Sequence, residues 1–344
     1  MAAGSRRQPV AARAPRVLVA GATGFAGALA AHLLWRHPGF ELAAVTGRSE
    51  IGRRLDELYP RYRVPLEIEP LEVSSLPSID AAIVAYPHGA AAPTVASLCE
   101  LGARVVDLSA DFRLQSRATY ERWYGEHPRP DLLERAVYGL TELHRERIAG
   151  AQIVANPGCY PTASLLGLAP LARAGLIADV VIDAKQGISG AGRTFDETTH
   201  LSTAGENILP YNVARHRHTP EIEEQLAGQG AELPVQFQAH LVPLDQGELA
   251  SCYVTPTRAV SGDELAELFA EAYGDEPFVE LAAEPPGTRA VMETNFCRIF
   301  ATPDAHTGKV IVLSAIDNLW KGTSSQAVQN LNVMFSLPES EGIA

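Results

Sequence analysis

Short apolar runs alternate with longer stretches of helical period through the first half of the chain. The segment RVLVAGATGFAGALAAHLLWRHP passes from an apolar run, Val17 to Ala20, through a glycine turn into an Ala- and Leu-rich stretch, which predicts a strand, a turn and a helix. Further strands are predicted at Phe40 to Val45, Ala81 to Ala85, Arg104 to Asp107 and Gln152 to Ala155, with a helix over Ala91 to Leu101. Strands connected through helices run parallel, and apolar runs with no polar face belong to sheets covered on both sides. The expectation is an α/β, Rossmann-type, doubly wound parallel sheet.

Near Asn156 the pattern changes. A strand stops at NPGCYPT and a helix rich in Ala and Leu is predicted from about Thr162. Beyond it, Val180 to Gln186, Pro234 to Leu244, Glu248 to Thr255 and Phe296 to Thr302 read as longer strands, and Gly262 to Tyr273 as a helix. Strands separated by long loops predict an α+β domain with a mostly antiparallel sheet. A last helix is predicted over about Gly322 to Phe335, and periodicity does not say where it packs. The chain thus divides into a tail at 1–14, a Rossmann domain at 15–157 and an α+β domain at 158–319.

Composition narrows what such a fold can do. With 344 residues, 46% apolar and 20% charged, the chain is a globular protein long enough for two cores. Its formal charge of -13 opposes binding to nucleic acid or to an anionic membrane surface, so an anionic substrate must meet a local basic pocket. No apolar run approaches the roughly 20 residues of a membrane span. The opening MAAGSRRQPVAARAP is basic and lacks the apolar core of a secretory signal, which reads as a flexible tail on a cytoplasmic protein. Cys99, Cys159, Cys252 and Cys297 are widely spaced with no CxxC pair, so neither a disulfide framework nor a metal site is expected.

Two motifs carry chemistry. Gly21, Gly24 and Gly27 of GATGFAG form a GxxGxxG turn between strand and helix, where backbone N–H groups meet a dinucleotide pyrophosphate at a helix N-terminus. After the second strand the chain offers Thr46-Gly47-Arg48-Ser49 in place of the acid that holds the ribose 2′-OH of NAD, and a cation with hydroxyls suits the 2′-phosphate of NADPH. The second motif is Ala155-Asn156-Pro157-Gly158-Cys159-Tyr160-Pro161-Thr162, which displays a thiol where a helix terminus favours its ionised, nucleophilic form. The other three cysteines read as small buried hydrophobes.

NPGCYPTASLLGLAP resembles the active-site signature of the N-acetyl-gamma-glutamyl-phosphate reductase family, related to aspartate-semialdehyde dehydrogenase. Agreement extends over GATGFAG, PHG at Pro87 to Gly89, DLSADFR at Asp107 to Arg113, GISGAGR at Gly187 to Arg193, HRHTPEI at His216 to Ile222 and DNLWKG at Asp317 to Gly322. The resemblance implies a semialdehyde dehydrogenase-like fold whose C-terminal helix, within 320–344, rejoins the Rossmann domain while 158–319 carries catalysis and oligomer contacts. It implies NADPH-dependent reduction of an acyl phosphate to an aldehyde through a Cys159 thioester, within arginine biosynthesis, by a homodimer or homotetramer.

A proton carrier is needed, and a histidine suits that role; His218 is the first choice and His216 the second, since their spacing does not separate them. The resemblance places Thr23, Phe25, Arg48, Ser49, Pro87, His88, Ser189, Gly190 and Asn318, with the three glycines, around NADPH or NADP⁺. It places Arg113, Asn156, Arg193, His216 and Glu221 around the substrate, with Lys321 as a further cation. The nearest rival is the lysine-pathway reductase, whose aminoadipyl phosphate is one methylene longer and carrier-bound; a methylene is worth only about 1–3 kcal/mol of discrimination.

Overall fold

A computed structural model describes residues 13–193 and 197–344, so the expected tail at 1–14 lies almost wholly outside the described residues. The first sheet holds seven strands: β1 (Arg16–Ala20), β2 (Glu41–Gly47), β3 (Ile68–Pro70), β4 (Ala81–Val84), β5 (Arg104–Asp107), β6 (Ala136–Tyr138) and β7 (Ile153–Ala155). Their order is β3-β2-β1-β4-β5-β7-β6 and every pair is parallel. Strands β1 and β4 are neighbours from which the chain winds in opposite directions, and in such sheets ligands bind beyond the carboxyl ends of those strands.

Alternation within the strands explains why both faces are covered. Val17 and Val19 of β1 belong to one apolar cluster with Ile83, Val106 and Val154, while Leu18 and Ala20 belong to the opposite one with Ala82, Val84 and Val105. The helix Phe25–Trp35 covers the first face through Ala28, Leu29 and Leu33, and the helix Ala92–Glu100 covers the second through Val95 and Leu98. The C-terminal helix Ser325–Met334 places Ala327, Val328, Leu331 and Met334 in that first cluster, against the first sheet.

The second sheet comprises β8 (Ile177–Gly187), β9 (Leu209–Tyr211), β10 (Gln236–Val242), β11 (Glu248–Pro256), β12 (Val279–Leu281), β13 (Cys297–Pro303) and β14 (Val310–Ile316). Its order is β12-β13-β14-β11-β8-β10-β9, antiparallel except for the β8/β10 and β12/β13 pairs. The helix Cys159–Arg173 lies in its core, with every residue from Tyr160 to Ala172 buried.

Three departures from expectation have physical reasons. The helix expected from Thr162 begins at Cys159, because Pro161 in a first turn lacks only an N–H that has no partner there anyway. Strand β14 went unassigned although VIVLSAI is apolar and β-branched, while β3, β6, β9 and β12 are only three residues each, too short to show a period. The helix expected from Gly322 starts as a π-helical turn, Trp320–Ser324, before becoming α-helical at Ser325.

Candidate active site

Beyond the ends of β1, β2 and β4 lies a crevice of about 580 Å³, lined by Gly21, Thr23, Gly24, Arg48, Ser49 and Pro87, among others. Gly21 has φ +93°, and a Cβ there would stand 2.5 Å from the Ala85 carbonyl oxygen, so the turn admits no side chain. A Cβ on Gly27 would overlap the Gly21 backbone, which lets helix and turn pack closely. Gly24 differs, since a Cβ there would find its nearest protein atom at 3.8 Å. The protein's own packing leaves that space open, and no side chain caps the helix that Gly24 begins. A pyrophosphate fits such a turn. Phe25 turns its ring to Tyr59 at 6.4 Å and packs against the first core.

Arg48 lies with its guanidinium 4.6 Å from the Tyr86 ring centre. Arg193, expected at the substrate, is instead in this crevice, where it donates to the Thr23 carbonyl at 3.3 Å and pairs with Glu50 at 3.1 Å.

Tyr86 and Pro87 also line a second, larger cleft of about 830 Å³, so the two cavities share a wall. Cys159, Arg113, His88, Gln186, His216 and His218 all face that cleft. Cys159 is partly exposed, whereas Cys99, Cys252 and Cys297 are buried, as the sequence suggested. The thiol stands at the first position of its helix, yet the terminus does not keep it ionised. Burial and the neighbouring Glu248 push it well above its ordinary value, outweighing the Tyr160 backbone N–H and Arg113. The expectation of a resting thiolate is corrected on this point.

Two missing side chains make room for the nucleophile's surroundings. A Cβ on Gly158 would stand 2.6 Å from Nε2 of His218 and 3.0 Å from a guanidinium nitrogen of Arg113. A Cβ on Gly322 would stand 2.8 Å from Cβ of Cys159, so the C-terminal π-turn presses directly on the nucleophile. His218 is held neutral: burial, Arg113 and His88 all push its pKa well below the usual histidine range, and its Nδ1 has no partner. His216 is pushed down to about 2, chiefly by burial, and its Nδ1 accepts the His218 backbone N–H at 3.1 Å. The remaining proton of His216 therefore sits on Nε2, toward the Tyr211 hydroxyl at 3.4 Å. Of the two imidazoles, His218 is the one with a free ring nitrogen.

Several residues expected to touch ligand instead hold the turn that carries Cys159. Glu221 is 1% exposed; it accepts from the Gly158 N–H and the Tyr138 hydroxyl, both at 2.8 Å, and faces Arg113 at 3.4 Å. Arg113 donates to the carbonyls of Asn156 and Leu108, at 2.8 Å each, and still reaches the cleft. The Asn156 side chain is fully buried and spent on the C-terminal segment, donating to the Thr323 carbonyl and accepting from Asn330. Ser189 gives both its hydroxyl and its N–H to the Asp245 carbonyl, and its oxygen accepts from Asn318, whose own oxygen holds the Gly247 N–H. These two are scaffold, while Gly190 lines the cleft. His88, expected at the cofactor, also faces the cleft, in contact with Arg217.

The model described as semialdehyde dehydrogenase, NAD binding domain, matches residues 16–151, and that described as semialdehyde dehydrogenase, dimerisation domain, matches 159–318. The N-acetyl-gamma-glutamyl-phosphate reductase of Desulforudis audaxviator is 49% identical over 339 residues, covering 95% of this chain and 97% of its own. The chain belongs to the N-acetyl-gamma-glutamyl-phosphate reductase family. A second member, from Moorella thermoacetica, is 46% identical over 94% of this chain and 96% of its own. Aspartate semialdehyde dehydrogenase II of Vibrio cholerae, complexed with ASA, superposes with TM-score 0.73 at 17% identity, over 94% of this chain and 99% of its own. That of Candida albicans with NADP superposes at 0.68 and 15% identity, over 94% and 99%. These two likenesses show the fold.

In this member of the family Lys321 is no substrate cation. It is fully buried and bonded to Glu142 at 2.6 Å and Gln329 at 2.8 Å. Burial pushes the Glu142 carboxyl up, but Lys321, a backbone hydrogen bond and Gln329 together bring it below its ordinary value. Sequence reasoning missed Gln186, 2% exposed with its amide nitrogen unpartnered, and Glu248, fully buried at the start of β11. Their one visible signal was polarity at strand ends otherwise built for burial. Among the described residues, no helix is long and apolar enough to cross a membrane.

Proposed function

We propose that the chain reduces N-acetyl-L-glutamyl 5-phosphate to N-acetyl-L-glutamate 5-semialdehyde and phosphate, with NADPH as the favoured cofactor, in arginine biosynthesis. The observation that carries this reading is the partly exposed Cys159 on the wall of a cleft that shares Tyr86 and Pro87 with the dinucleotide crevice. The relatives' name supplies the substrate, and the carrier-bound aminoadipyl alternative is not favoured by it.

Cys159 attacks the acyl carbon and phosphate leaves, giving a thioester. Bound NADPH supplies hydride. His218, neutral and with a free ring nitrogen, takes and returns the proton on the substrate oxygen. Arg113, Arg215 and Arg217, which all line the cleft, give the anionic substrate its local cations on an acidic protein. Gly21 and Gly24, with Gly27 letting helix and turn pack closely, would cradle the pyrophosphate, and Arg48 with Ser49 would meet the 2′-phosphate. Functionally, 15–157 with the helix in 320–344 is the cofactor unit. The remaining 158–319 is the catalytic unit, through which cytoplasmic homo-oligomers form.

The test follows NADP⁺ reduction in the reverse direction, with N-acetylglutamate semialdehyde and phosphate. Wild type is expected to turn over, and Cys159→Ser to lose on the order of 10⁴-fold or more. A serine variant as active as wild type overturns the reading, as does a wild type that accepts only the aminoadipate analogue.

A further inference from the structure

One stretch of chain touches both cavities. Gly190 and Ala191 line the Cys159 cleft, and just beyond them, past Gly192 at φ +86°, Arg193 lines the dinucleotide crevice. Its guanidinium donates to the Thr23 carbonyl of the glycine turn at 3.3 Å and to Glu50 at 3.1 Å, with the Tyr59 ring centre 5.9 Å away. Thr23, Glu50 and Tyr59 all belong to the Rossmann domain, so this contact joins the two domains across the crevice.

Both of its hydrogen-bond partners can spare it. Glu50 also pairs with Arg53, at 2.7 Å, and of the two cations that hold its carboxyl below the ordinary range Arg53 has the larger effect. The Thr23 carbonyl also accepts the Tyr59 hydroxyl, at 2.8 Å. The Arg193 and Glu50 side chains are 37% and 25% exposed, so water screens the pair and holds it weakly.

The expected ligand needs such a cation. A phosphate monoester carries about two negative charges at neutral pH. Two residues lining the crevice are positive, Arg48 and Arg193, and Arg48 alone answers half of that charge. Glu50 directly follows Ser49, which lines the crevice. An acid there suits the ribose 2′-OH of NAD and repels a 2′-phosphate unless a cation answers it.

We infer that Arg193 is the second cation of the 2′-phosphate site: when the cofactor binds, its guanidinium leaves Glu50 for the phosphate, and Glu50 stays with Arg53. The inference rests on NADPH as the favoured cofactor. The planar fork of arginine makes paired, charge-assisted bonds to phosphate oxygens, stronger than an exposed carboxylate pair. Since Ala191 lines the cleft so close along the chain, the phosphate that holds Arg193 also steadies that part of the cleft wall.

The test is isothermal titration of wild type, Arg193→Ala, Glu50→Gln and the double variant with NADP⁺ and with NAD⁺. Arg193→Ala is expected to weaken NADP⁺ binding about tenfold and to leave NAD⁺ unchanged. Glu50→Gln, which frees Arg193, is expected to tighten NADP⁺ binding about threefold when Arg193 is present and by less when it is absent. Three results overturn the inference. They are an NADP⁺ affinity unmoved by Arg193→Ala, an equal loss for both cofactors, and a larger gain from Glu50→Gln in the absence of Arg193, which would make Arg193 only a screen for Glu50. Failure of the NADPH reading looks different: wild type then binds both cofactors alike and Arg48→Ala changes neither affinity.

Discussion

The two cavities that share Tyr86 and Pro87 are built on opposite plans. The dinucleotide crevice is shaped by what is missing, a turn of glycines and an uncapped helix, with Arg48 as its main charged feature beside Arg193. The cleft around Cys159 is shaped by buried ionisable groups: His216 and His218 are pushed toward neutrality from the basic side and Glu248 from the acidic side. Backbone shape suits a large ligand that must be held whichever bond is reacting. Displaced titrations suit a place where a proton changes hands.

That contrast can be broken most decisively at His218. His218→Asn should slow turnover on the order of 10²- to 10⁴-fold while cofactor affinity, followed by fluorescence titration, stays put. Loss of both together would dissolve the division. Lys321 separates scaffold from site: Lys321→Met strands Glu142 as a buried unpaired charge and should lower unfolding free energy by about 3–5 kcal/mol. Denaturant titration measures this, and adding Glu142→Gln should recover much of the loss. A stable Lys321→Met protein with a raised substrate KM would return Lys321 to substrate binding. Arg48→Ala, the mildest change, should raise the KM for NADPH about tenfold and leave that for NADH nearly unchanged. Equal effects on both cofactors would remove the 2′-phosphate assignment.

The same contrast sets how much was legible in the amino-acid pattern. GATGFAG could be placed because strand, turn and helix are contiguous, and Gly21, Gly24 and Gly27 do their work locally. Cys159 could be placed for the same reason. Its partners could not, because Glu221, Glu248 and Gly322 reach the NPGC turn from three other elements, between 63 and about 160 residues away. Polar residues at matched motifs were assigned to ligands when their hydrogen bonds run inward, as with Asn156, Ser189, Asn318 and Lys321. A motif records that a residue is needed without saying whether substrate or scaffold needs it. Arg193 crossed from substrate to cofactor side because a loop, unlike a strand, has no period that fixes where it leads.

The segment after β14 has a consequence for how the protein comes to be active during synthesis. Ser324, Gln326 and Asn330 tie it to Ala26, Gly139, Thr141 and Asn156, and Gly322 seats against the sulfur-bearing residue. Both sheets have left the ribosome before these ties can close. The emerging chain therefore carries its reactive thiol through synthesis without the wall that sets its surroundings, and the site is completed only once the segment that follows the second sheet has been made.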